Sequence, residues 1–225
     1  MSISELHRLF LESSGVCTDS RNIKENSLFF ALKGVSFNGN DFALLALEQG
    51  ANFAIVDENI SGNTEQLVRV DNVLDTLQVL ASYHRAYLNM PVLAITGTNG
   101  KTTTKELINA VLSRKYKVTS TAGNLNNHIG VPLTLLSMDS QTQIGVVEMG
   151  ANHPKEIMAL CNIAKPNMGL ITNVGKGHLE GFGSFDGVKK TKGELYDYLD
   201  KEGGQIFVLE DSEELMEMVQ QRHIK

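Results

Sequence analysis

The stretch AITGTNGKTTT, residues 94–104, constrains the fold of this chain more than any other feature. An apolar run at residues 91–95 leads into it, and a segment with helical character follows it. Gly97 and Gly100 let the backbone approach an anion closely, so that successive N–H groups and the positive end of the next helix point at a phosphate. A strand, a glycine-rich loop and a helix in this order predict a phosphate-binding loop. The alternative is a plain glycine-rich turn.

Three side chains complete the predicted phosphate site. Lys101 supplies a point charge for the β- and γ-phosphates, and the Thr102 hydroxyl can ligate Mg²⁺. The spacing departs from the common G-x-x-x-x-G-K-[ST] pattern, because Ile95 stands where the first glycine would be. Glu148 closes the apolar strand IGVVE. A carboxylate at such a strand end, beside a phosphate loop, is placed to hold Mg²⁺, and the alternative is a solvated strand end.

Strands and helices alternate in the second part of the chain. Strands are predicted at residues 92–96, 142–148, 168–172 and 205–209, and each is followed by a predicted helix, at 102–115, about 154–164, 186–199 and 211–223. This alternation predicts an α/β fold, with a mostly parallel sheet flanked by helices and a ligand site at the carboxyl ends of its strands. The chain stops after a helix, where another strand would follow. We therefore expect a sheet that is incomplete at the C-terminus.

The first part predicts a smaller α/β domain. Strands are expected at 27–32 and 52–57, with a helix at 41–50 between them. Asp41 is the predicted N-cap of that helix and Gly50 its stop. A second helix is predicted from about residue 71 to 88, and the residue before Pro91 disfavours its continuation. We place the boundary there, which gives domains at 1–90 and 91–225.

Composition excludes several classes of protein. With 20 Lys and Arg against 26 Asp and Glu, the net charge is −6, which argues against a general nucleic-acid binder. The N-terminus lacks the pattern of a signal peptide, and no apolar run approaches the ~20 residues of a membrane span. Cys17 and Cys161 form no metal or redox spacing. They are expected to be free thiols in a reducing cytoplasm.

A second glycine-rich stretch, ITNVGKGHLEGFGS at residues 171–184, follows another predicted strand end. Long glycine-rich loops at this edge of a sheet usually build sites, so His178 and Glu180 are candidates. A lone histidine is otherwise more often structural than a ligand. Both interpretations of His178 remain open from the residues alone.

The lysine-rich segment GVKKTKGELYDYL, residues 187–199, is not uniformly solvent-facing. On a helical wheel Lys192 shares one sector of ~60° with three apolar residues, Val188, Leu195 and Leu199, while Lys189 and Lys190 point elsewhere. An unpaired ammonium on a buried stripe is costly. Lys192 therefore needs a partner, a metal or a chemical modification.

Three asparagines mark the stretch STAGNLNNHIGVPLTLL at residues 120–136. Asn124, Asn126 and Asn127 lie within four positions of one another. They can be turn formers in a loop or can hydrogen-bond a polar ligand, and the residues alone favour neither interpretation.

The motifs together resemble the Mur ligase family of peptidoglycan synthesis. The matching stretches, in order, are GTNGKTTT, GNLNNHIGVPLTLL, VVEMGANHPKEI, ITNVGKGHLEGFGS and KTKGELYDYL. EMGAN and HLEGFGS resemble the branch of the family that adds D-alanyl-D-alanine. The N-terminal CTDSRNIKENSLFFALKGVSFNGNDF resembles the family's UDP-binding domain, with EN in place of the usual PG and FNGNDF in place of DGHDF.

The resemblance implies ATP and Mg²⁺ as cofactors. It also implies UDP-MurNAc-tripeptide and D-alanyl-D-alanine as substrates, in a cytoplasmic monomer. The γ-phosphate would pass to the terminal carboxyl of the tripeptide, and the amine of D-alanyl-D-alanine would then displace phosphate. By the same resemblance, each site residue has a role. The ATP phosphates are held by Gly97, Thr98, Asn99, Gly100, Lys101, Thr102 and Thr103; one Mg²⁺ by Thr102 and Glu148; a second by His178 and a carbamylated Lys192; and the UDP-substrate by Ser20, Arg21, Asn126 and Asn127. Lys101, Lys192 and His178 are the implied catalytic residues.

Two alternatives stay open. A sister ligase that adds a single amino acid, to the nucleotide-peptide or to folate, would share the phosphate loop and Lys192. A non-catalytic module would hold the UDP-substrate without turnover, although intact Lys101, Glu148 and Lys192 argue against degeneracy. By resemblance, the adenine site and much of the D-alanyl-D-alanine site lie beyond residue 225. We therefore expect these 225 residues not to ligate by themselves, to bind ATP weakly, and to keep UDP-substrate binding through residues 1–90 and the 123–134 loop.

Overall fold

The computed structural model describes residues 1–61, 65–175, 177 and 179–222. They form two compact units, one up to His84 and one from Arg85 onward. Within the described part of the chain, no helix combines the length and apolarity that crossing a bilayer requires. Cys17 and Cys161 are both free thiols, as expected.

The first unit is a four-stranded parallel sheet with helices. Its elements in chain order are α1 (Ile3–Leu11), β1 (Val16–Cys17), β2 (Leu28–Phe30), α2 (Ala43–Glu48), β3 (Phe53–Val56), β4 (Leu67–Arg69) and α3 (Val73–Leu88), and the division between the units falls within α3. The strands pair in the order β1-β2-β3-β4. A small-residue core lies between α2 and the sheet, where Ala43, Ala46 and Ala54 are fully buried. These small side chains let the helix approach the strands closely.

The start of α2 differs from the prediction. The helix predicted over 41–50 is divided into a 3₁₀ turn at Gly39–Phe42 and the α-helix at Ala43–Glu48. The predicted N-cap, Asp41, is wrong, because the cap is Asn38, whose side-chain oxygen accepts from the Asn40 N–H over 3.1 Å. The cap thus lies three residues before Asp41, at the start of the 3₁₀ turn that directly precedes the helix. Gly50 follows the helix end with φ +104°, a conformation that favours glycine.

The second unit is a five-stranded parallel sheet with helices. Its elements are β5 (Val92–Thr96), α4 (Lys101–Leu112), β6 (Val118–Ser120), α5 (Gly130–Leu136), β7 (Ile144–Glu148), α6 (Glu156–Ala164), β8 (Met168–Ile171), α7 (Leu179–Phe182), α8 (Phe185–Glu202), β9 (Gln205–Phe207) and α9 (Glu213–Gln220). The strand order is β6-β7-β5-β8-β9, all parallel. The prediction of an α/β fold with parallel sheets is confirmed.

The strand order places the phosphate loop at the centre of the sheet. β5 is buried along its whole length and lies between β7 and β8. The chain passes from β5 to one side through β6 and β7, and to the other through β8 and β9. This reversal leaves a crevice at the carboxyl ends of β5, β7 and β8, which is where open parallel sheets bind ligands.

Two stretches interpreted as loops contain helices. Residues 120–136 end in α5, and the glycine-rich stretch 171–184 contains α7. Four of the seven α5 residues are Val or Leu, and the helix packs against β7 and α6. Tertiary burial therefore stabilises a helix of seven residues, a length that is marginal for a helix in isolation.

Candidate active site

The loop between β5 and α4 has the backbone of an anion site. Gly97 has φ +143° and Gly100, the N-cap of α4, has φ +78°. A Cβ at Gly97 would lie 2.0 Å from Thr172 Oγ1, so no larger residue fits there without rearrangement. Because Gly100 has no side chain, it offers no side-chain cap to the first-turn N–H groups of α4. These groups and the helix dipole are therefore available to a phosphate.

The segment directly after β8 holds this loop in place through hydrogen bonds. Asn173 accepts from the Thr98 N–H through its carbonyl (3.0 Å) and from the Asn99 N–H through Oδ1 (3.1 Å). Thr172 Oγ1 and Asn173 Nδ2 both donate to the Asn99 carbonyl, over 2.7 and 2.9 Å. Thr172 and Asn173 were not among the predicted site residues. Their position directly after a parallel strand is the sequence signal that could have identified them.

Lys101 lies folded over the loop. Its ammonium donates to the carbonyls of Gly97 (2.9 Å) and Thr98 (3.1 Å). Burial lowers the pKa of Lys101, and the negative charge of Glu148 opposes that shift. The ammonium is therefore held by weak neutral acceptors next to the predicted phosphate position, where an anionic phosphate would be a stronger partner.

Glu148 is almost completely buried at the carboxyl end of β7. Oε2 accepts from the Thr102 hydroxyl over 3.0 Å, and Oε1 accepts from Asn126 Nδ2 over 2.8 Å. Its own N–H donates to Thr121 Oγ1 over 3.0 Å. The structure thus brings together Thr102 and Glu148, the two residues predicted to share a metal ion.

The oxygen atoms of Thr102 and Glu148 fit Mg²⁺, which prefers hard oxygen ligands and few protein donors. The buried Glu148 carboxylate accepts a hydrogen bond from a hydroxyl and forms no ion pair with a described cationic side chain. A buried negative charge of this kind is suited to bind a divalent cation. Among the described residues, no group of three or more His, Cys, Asp or Glu side chains is arranged around one point. Mg²⁺ at this position would therefore complete its shell with phosphate oxygens and water.

The two asparagines proposed as substrate contacts have different local roles. The side-chain Nδ2 of Asn126 donates to the Glu148 carboxylate, and its backbone carbonyl accepts from the Gly150 N–H over 2.7 Å. Asn127 Oδ1 accepts from the N–H groups of Ile129 (3.1 Å) and Gly130 (2.9 Å) at the start of α5. The turn-forming interpretation is confirmed for Asn127, and contact with the UDP-substrate stays a prediction for both.

Lys192 points inward from α8, as its helical position predicts. Its residue is 2% exposed, while Lys190 is exposed. Nζ donates to the Ala151 carbonyl over 3.4 Å and lies 5.4 Å from the centroid of the Phe182 ring. Burial, with a smaller contribution from the Lys101 ammonium, lowers the pKa of Lys192 to about 8. A buried lysine with this pKa is partly neutral near physiological pH, which is the form that reacts with CO₂.

The loop that carries the Ala151 carbonyl is held from α8 by Glu194. Its carboxylate accepts from the N–H groups of Lys155 (2.7 Å) and Met158 (2.9 Å) and so caps the start of α6 from another helix. Lys155 itself has φ +72°, an uncommon conformation for a residue with a side chain. Glu194 was not predicted as a site residue, and its sequence position gives no signal of this contact.

The roles of three further predicted site residues stay predictions. His178 lies outside the described residues. Ser20 and Arg21 belong to the first unit, in the turn after β1. Arg21 is highly exposed and pairs with Asp19 over 2.7 Å. Hydrogen bonds from Arg21 hold the pKa of Asp19 well below its usual range.

Two family models match the chain. The Mur ligase middle domain matches residues 95–225, and the model described as Mur ligase family, catalytic domain, matches residues 12–87. Together they cover both units.

Curated relatives and solved structures agree with these matches. UDP-N-acetylmuramoyl-tripeptide–D-alanyl-D-alanine ligase of Bacillus subtilis is 40% identical over 196 residues, which cover 86% of this chain and 43% of that protein. The crystal structure of MurF from Acinetobacter baumannii superposes with a TM-score of 0.86 at 32% identity, over 99% of this chain and 52% of that one. MurF from Thermotoga maritima, solved with ADP, has a TM-score of 0.84 at 34% identity, over 94% of this chain and 49% of that one. The chain thus spans about half the length of the proteins it resembles.

Proposed function

The chain belongs to the Mur ligase family, and on that premise we propose that it forms the nucleotide- and UDP-substrate-binding part of an ATP-dependent amide ligase. The substrates are UDP-MurNAc-tripeptide and D-alanyl-D-alanine, as the names of its relatives indicate. The observation that carries the proposal is the contact between Thr102 and Glu148 beside the loop that ends at Gly100. We also propose that the protein acts as a monomer in the cytoplasm, where UDP-linked precursors are made.

The phosphate loop binds and orients ATP. First-turn N–H groups of α4 and the Lys101 ammonium face the β- and γ-phosphates and stabilise charge that develops as the phosphoryl group moves. Thr102 and Glu148 would hold Mg²⁺, which would supply neutralisation of phosphate charge. The γ-phosphoryl group passes to the terminal carboxylate of the tripeptide, giving an acyl phosphate and ADP.

Amide formation follows at the acyl carbon. The amine of D-alanyl-D-alanine attacks the carbonyl, the bond from carbon to the phosphate oxygen breaks, and inorganic phosphate and one proton leave. Lys192, carbamylated, and His178 would hold a second Mg²⁺, and Ser20, Arg21, Asn126 and Asn127 would contact the UDP-substrate. In carbamylation the neutral Lys192 amine forms an N–C bond to CO₂ and releases one proton. The product is an anion with oxygen ligands, which suits a hard metal ion.

The deciding experiment measures phosphate release and amide product. It uses ATP, Mg²⁺, UDP-MurNAc-tripeptide and D-alanyl-D-alanine, with the 225-residue chain and with a chain continued to the length of its relatives. We expect ligation by the longer chain and none by the 225 residues, which span 43% of the Bacillus subtilis relative.

Two controls separate the alternatives. Replacing D-alanyl-D-alanine with single amino acids should stop product formation, and a product with a single amino acid would identify a sister ligase instead. A longer chain that binds UDP-MurNAc-tripeptide but never releases phosphate would identify a binding module. Ligation by the 225-residue chain would contradict the expectation that further residues are needed.

A further inference from the structure

Lys105 is a buried cation to which the proposed chemistry assigns no role. It lies on α4, one turn after Lys101, and its side chain is completely buried. Nζ donates to the Thr121 carbonyl over 2.6 Å, and its ion-pair partner is Glu106 Oε1 at 2.9 Å. The Glu106 side chain is 60% exposed, so water weakens that pair. Burying an ammonium is costly unless hydrogen bonds and a nearby opposite charge offset the lost hydration.

The acceptor of this hydrogen bond is itself part of the Glu148 environment. Thr121 follows β6 and is buried, and its N–H donates to the Val146 carbonyl over 3.0 Å. Its hydroxyl oxygen accepts the Glu148 N–H over 3.0 Å. Two hydrogen bonds that share Thr121 therefore connect the Lys105 ammonium to the backbone of Glu148.

Helix α4 is connected to Glu148 by two routes, one direct and one through Thr121. Thr102 reaches the carboxylate directly, and Lys105, three residues later on the same side of the helix, reaches the backbone through Thr121. The first contact orients the carboxylate and the second restrains the strand end that carries it. Glu148 is thereby held against the same helix that begins at the phosphate loop.

We propose that Lys105 is a positioning residue for Glu148. It fixes the Thr121 carbonyl, keeps the Thr121 hydroxyl under the Glu148 N–H, and so sets where the carboxylate stands relative to Thr102. Outer partners of this kind change metal affinity when they are removed. The effect on Mg²⁺ rests on the proposed function, whereas the effect on Glu148 is a property of the fold.

The first test is amide hydrogen exchange of the 225-residue chain, measured by NMR. In Lys105→Met, which keeps the apolar stem and removes the charge, the Glu148 N–H should exchange about fivefold faster, as expected for one weakened hydrogen bond. Gly145 on the same strand, whose N–H donates to the Pro91 carbonyl over 2.9 Å, should keep its rate. Lys115→Met, at an exposed lysine just after α4, is the matched control.

Two outcomes of this test overturn the proposal. One is an unchanged Glu148 rate in Lys105→Met. The other is equal acceleration at Glu148 and Gly145, which would mean general destabilisation. If Lys105→Met does not fold, Lys105→Arg is used instead, because it keeps the buried charge but moves the donor relative to the Thr121 carbonyl. The Glu148 N–H should again exchange faster than in wild type while the Gly145 N–H keeps its rate.

A double-mutant cycle tests the path through Thr121. Thr121→Val removes the hydroxyl that accepts the Glu148 N–H and leaves the carbonyl that Lys105 contacts. If Lys105 acts through Thr121, the double variant should accelerate Glu148 exchange no more than Thr121→Val alone. Additive acceleration would overturn this path.

The link to the metal is tested in the longer ligase. The Mg²⁺ concentration for half-maximal turnover should rise about tenfold in Lys105→Met, with the KM for D-alanyl-D-alanine unchanged. Unchanged Mg²⁺ dependence together with faster Glu148 exchange would overturn the metal effect alone. A wild-type longer chain without ligase activity would refute the proposed function, and the exchange result would still decide the role of Lys105.

Discussion

The Thr102 hydroxyl donates to Oε2 of Glu148 over 3.0 Å and thereby joins the first turn of α4 to the carboxyl end of β7. The two residues are 46 positions apart in the chain. Their contact places a hydroxyl and a buried carboxylate next to each other beside the phosphate loop, an arrangement that suits the proposed magnesium nucleotide.

Removing this hydroxyl should weaken Mg²⁺ binding at the proposed site. Thr102→Val keeps the β-branched shape and leaves Glu148 without its hydroxyl partner. We expect the Mg²⁺ concentration for half-maximal turnover of the longer ligase to rise by about tenfold or more. Thr104→Val, two residues along the helix, is the control and should leave that concentration unchanged. Equal Mg²⁺ dependence in the two variants would argue against a metal at Thr102.

Lys101→Ala should abolish ATP turnover, because the β- and γ-phosphates lose the cation that lies over the loop. Loss of such a preorganised charge costs about 3–4 kcal/mol of transition-state stabilisation. Phosphate release by the longer ligase measures the effect, with the exposed Lys115→Ala as control. Near-normal turnover in Lys101→Ala would refute the phosphate-loop assignment.

Lys192→Ala should be nearly inactive in the longer ligase and should recover part of its rate with short carboxylates, which can occupy the space of a carbamate. Lys190→Ala, two residues away and exposed, should keep the wild-type rate and gain nothing from carboxylates. A Lys192→Ala rate equal to wild type, or a wild-type rate indifferent to CO₂ removal, would favour an unmodified lysine whose stem covers apolar surface.

The lowered pKa of Lys192 predicts a pH-dependent stability. Burial sets its folded pKa to about 8, below the unfolded value, so the unfolded chain binds more protons between these pH values. The cost of the buried ammonium, about 3 kcal/mol, is therefore present below about pH 8 and disappears as the pH rises toward 10.5. Lys192→Met should be more stable than wild type at pH 7 by up to that amount, with a gap that closes on alkalinisation.

Urea unfolding of both proteins at pH 7 to 10 in CO₂-free buffer measures this gap, because other titrating groups cancel in the difference. Lys190→Met should show no such trend. A gap between Lys192→Met and wild type that stays constant with pH would mean that Lys192 has an ordinary pKa.

Gly97→Ala should destabilise the second unit more than Gly100→Ala does. Both glycines have positive φ, but a Cβ at Gly97 meets Thr172 Oγ1 at 2.0 Å, whereas one at Gly100 meets nothing within 4 Å. We expect about 1–2 kcal/mol from backbone strain at Gly100 and at least about 3 kcal/mol at Gly97, where the clash adds to the strain. Urea midpoints test this order, and equal losses would contradict the close packing of residue 97 against Thr172.

The pattern of neighbouring residues was enough to predict the strand, the loop and the helix that form the candidate site. β5 begins and ends at the predicted residues, and the strand, loop and helix around Gly97 and Gly100 follow from residue spacing alone. The inward orientation of Lys192 also follows from the sequence, because a helix repeats its faces every 3.6 residues. Glycine positions, apolar alternation and helical periodicity are properties of neighbouring residues and need no knowledge of the fold.

The sequence by itself therefore determined the α/β architecture, the glycine-rich loop between β5 and α4 and the buried lysine, while the tertiary structure decided which side chains meet. Thr102 and Glu148 are 46 residues apart, Lys105 and Thr121 are 16 apart, and Glu194 and Lys155 are 39 apart. The first two contacts form where parallel strands bring their carboxyl ends to one edge of the sheet, whatever their separation in the chain. The third forms because α8 packs against α6. Hydrogen bonds between such distant residues depend on strand order and helix packing, which no local pattern encodes.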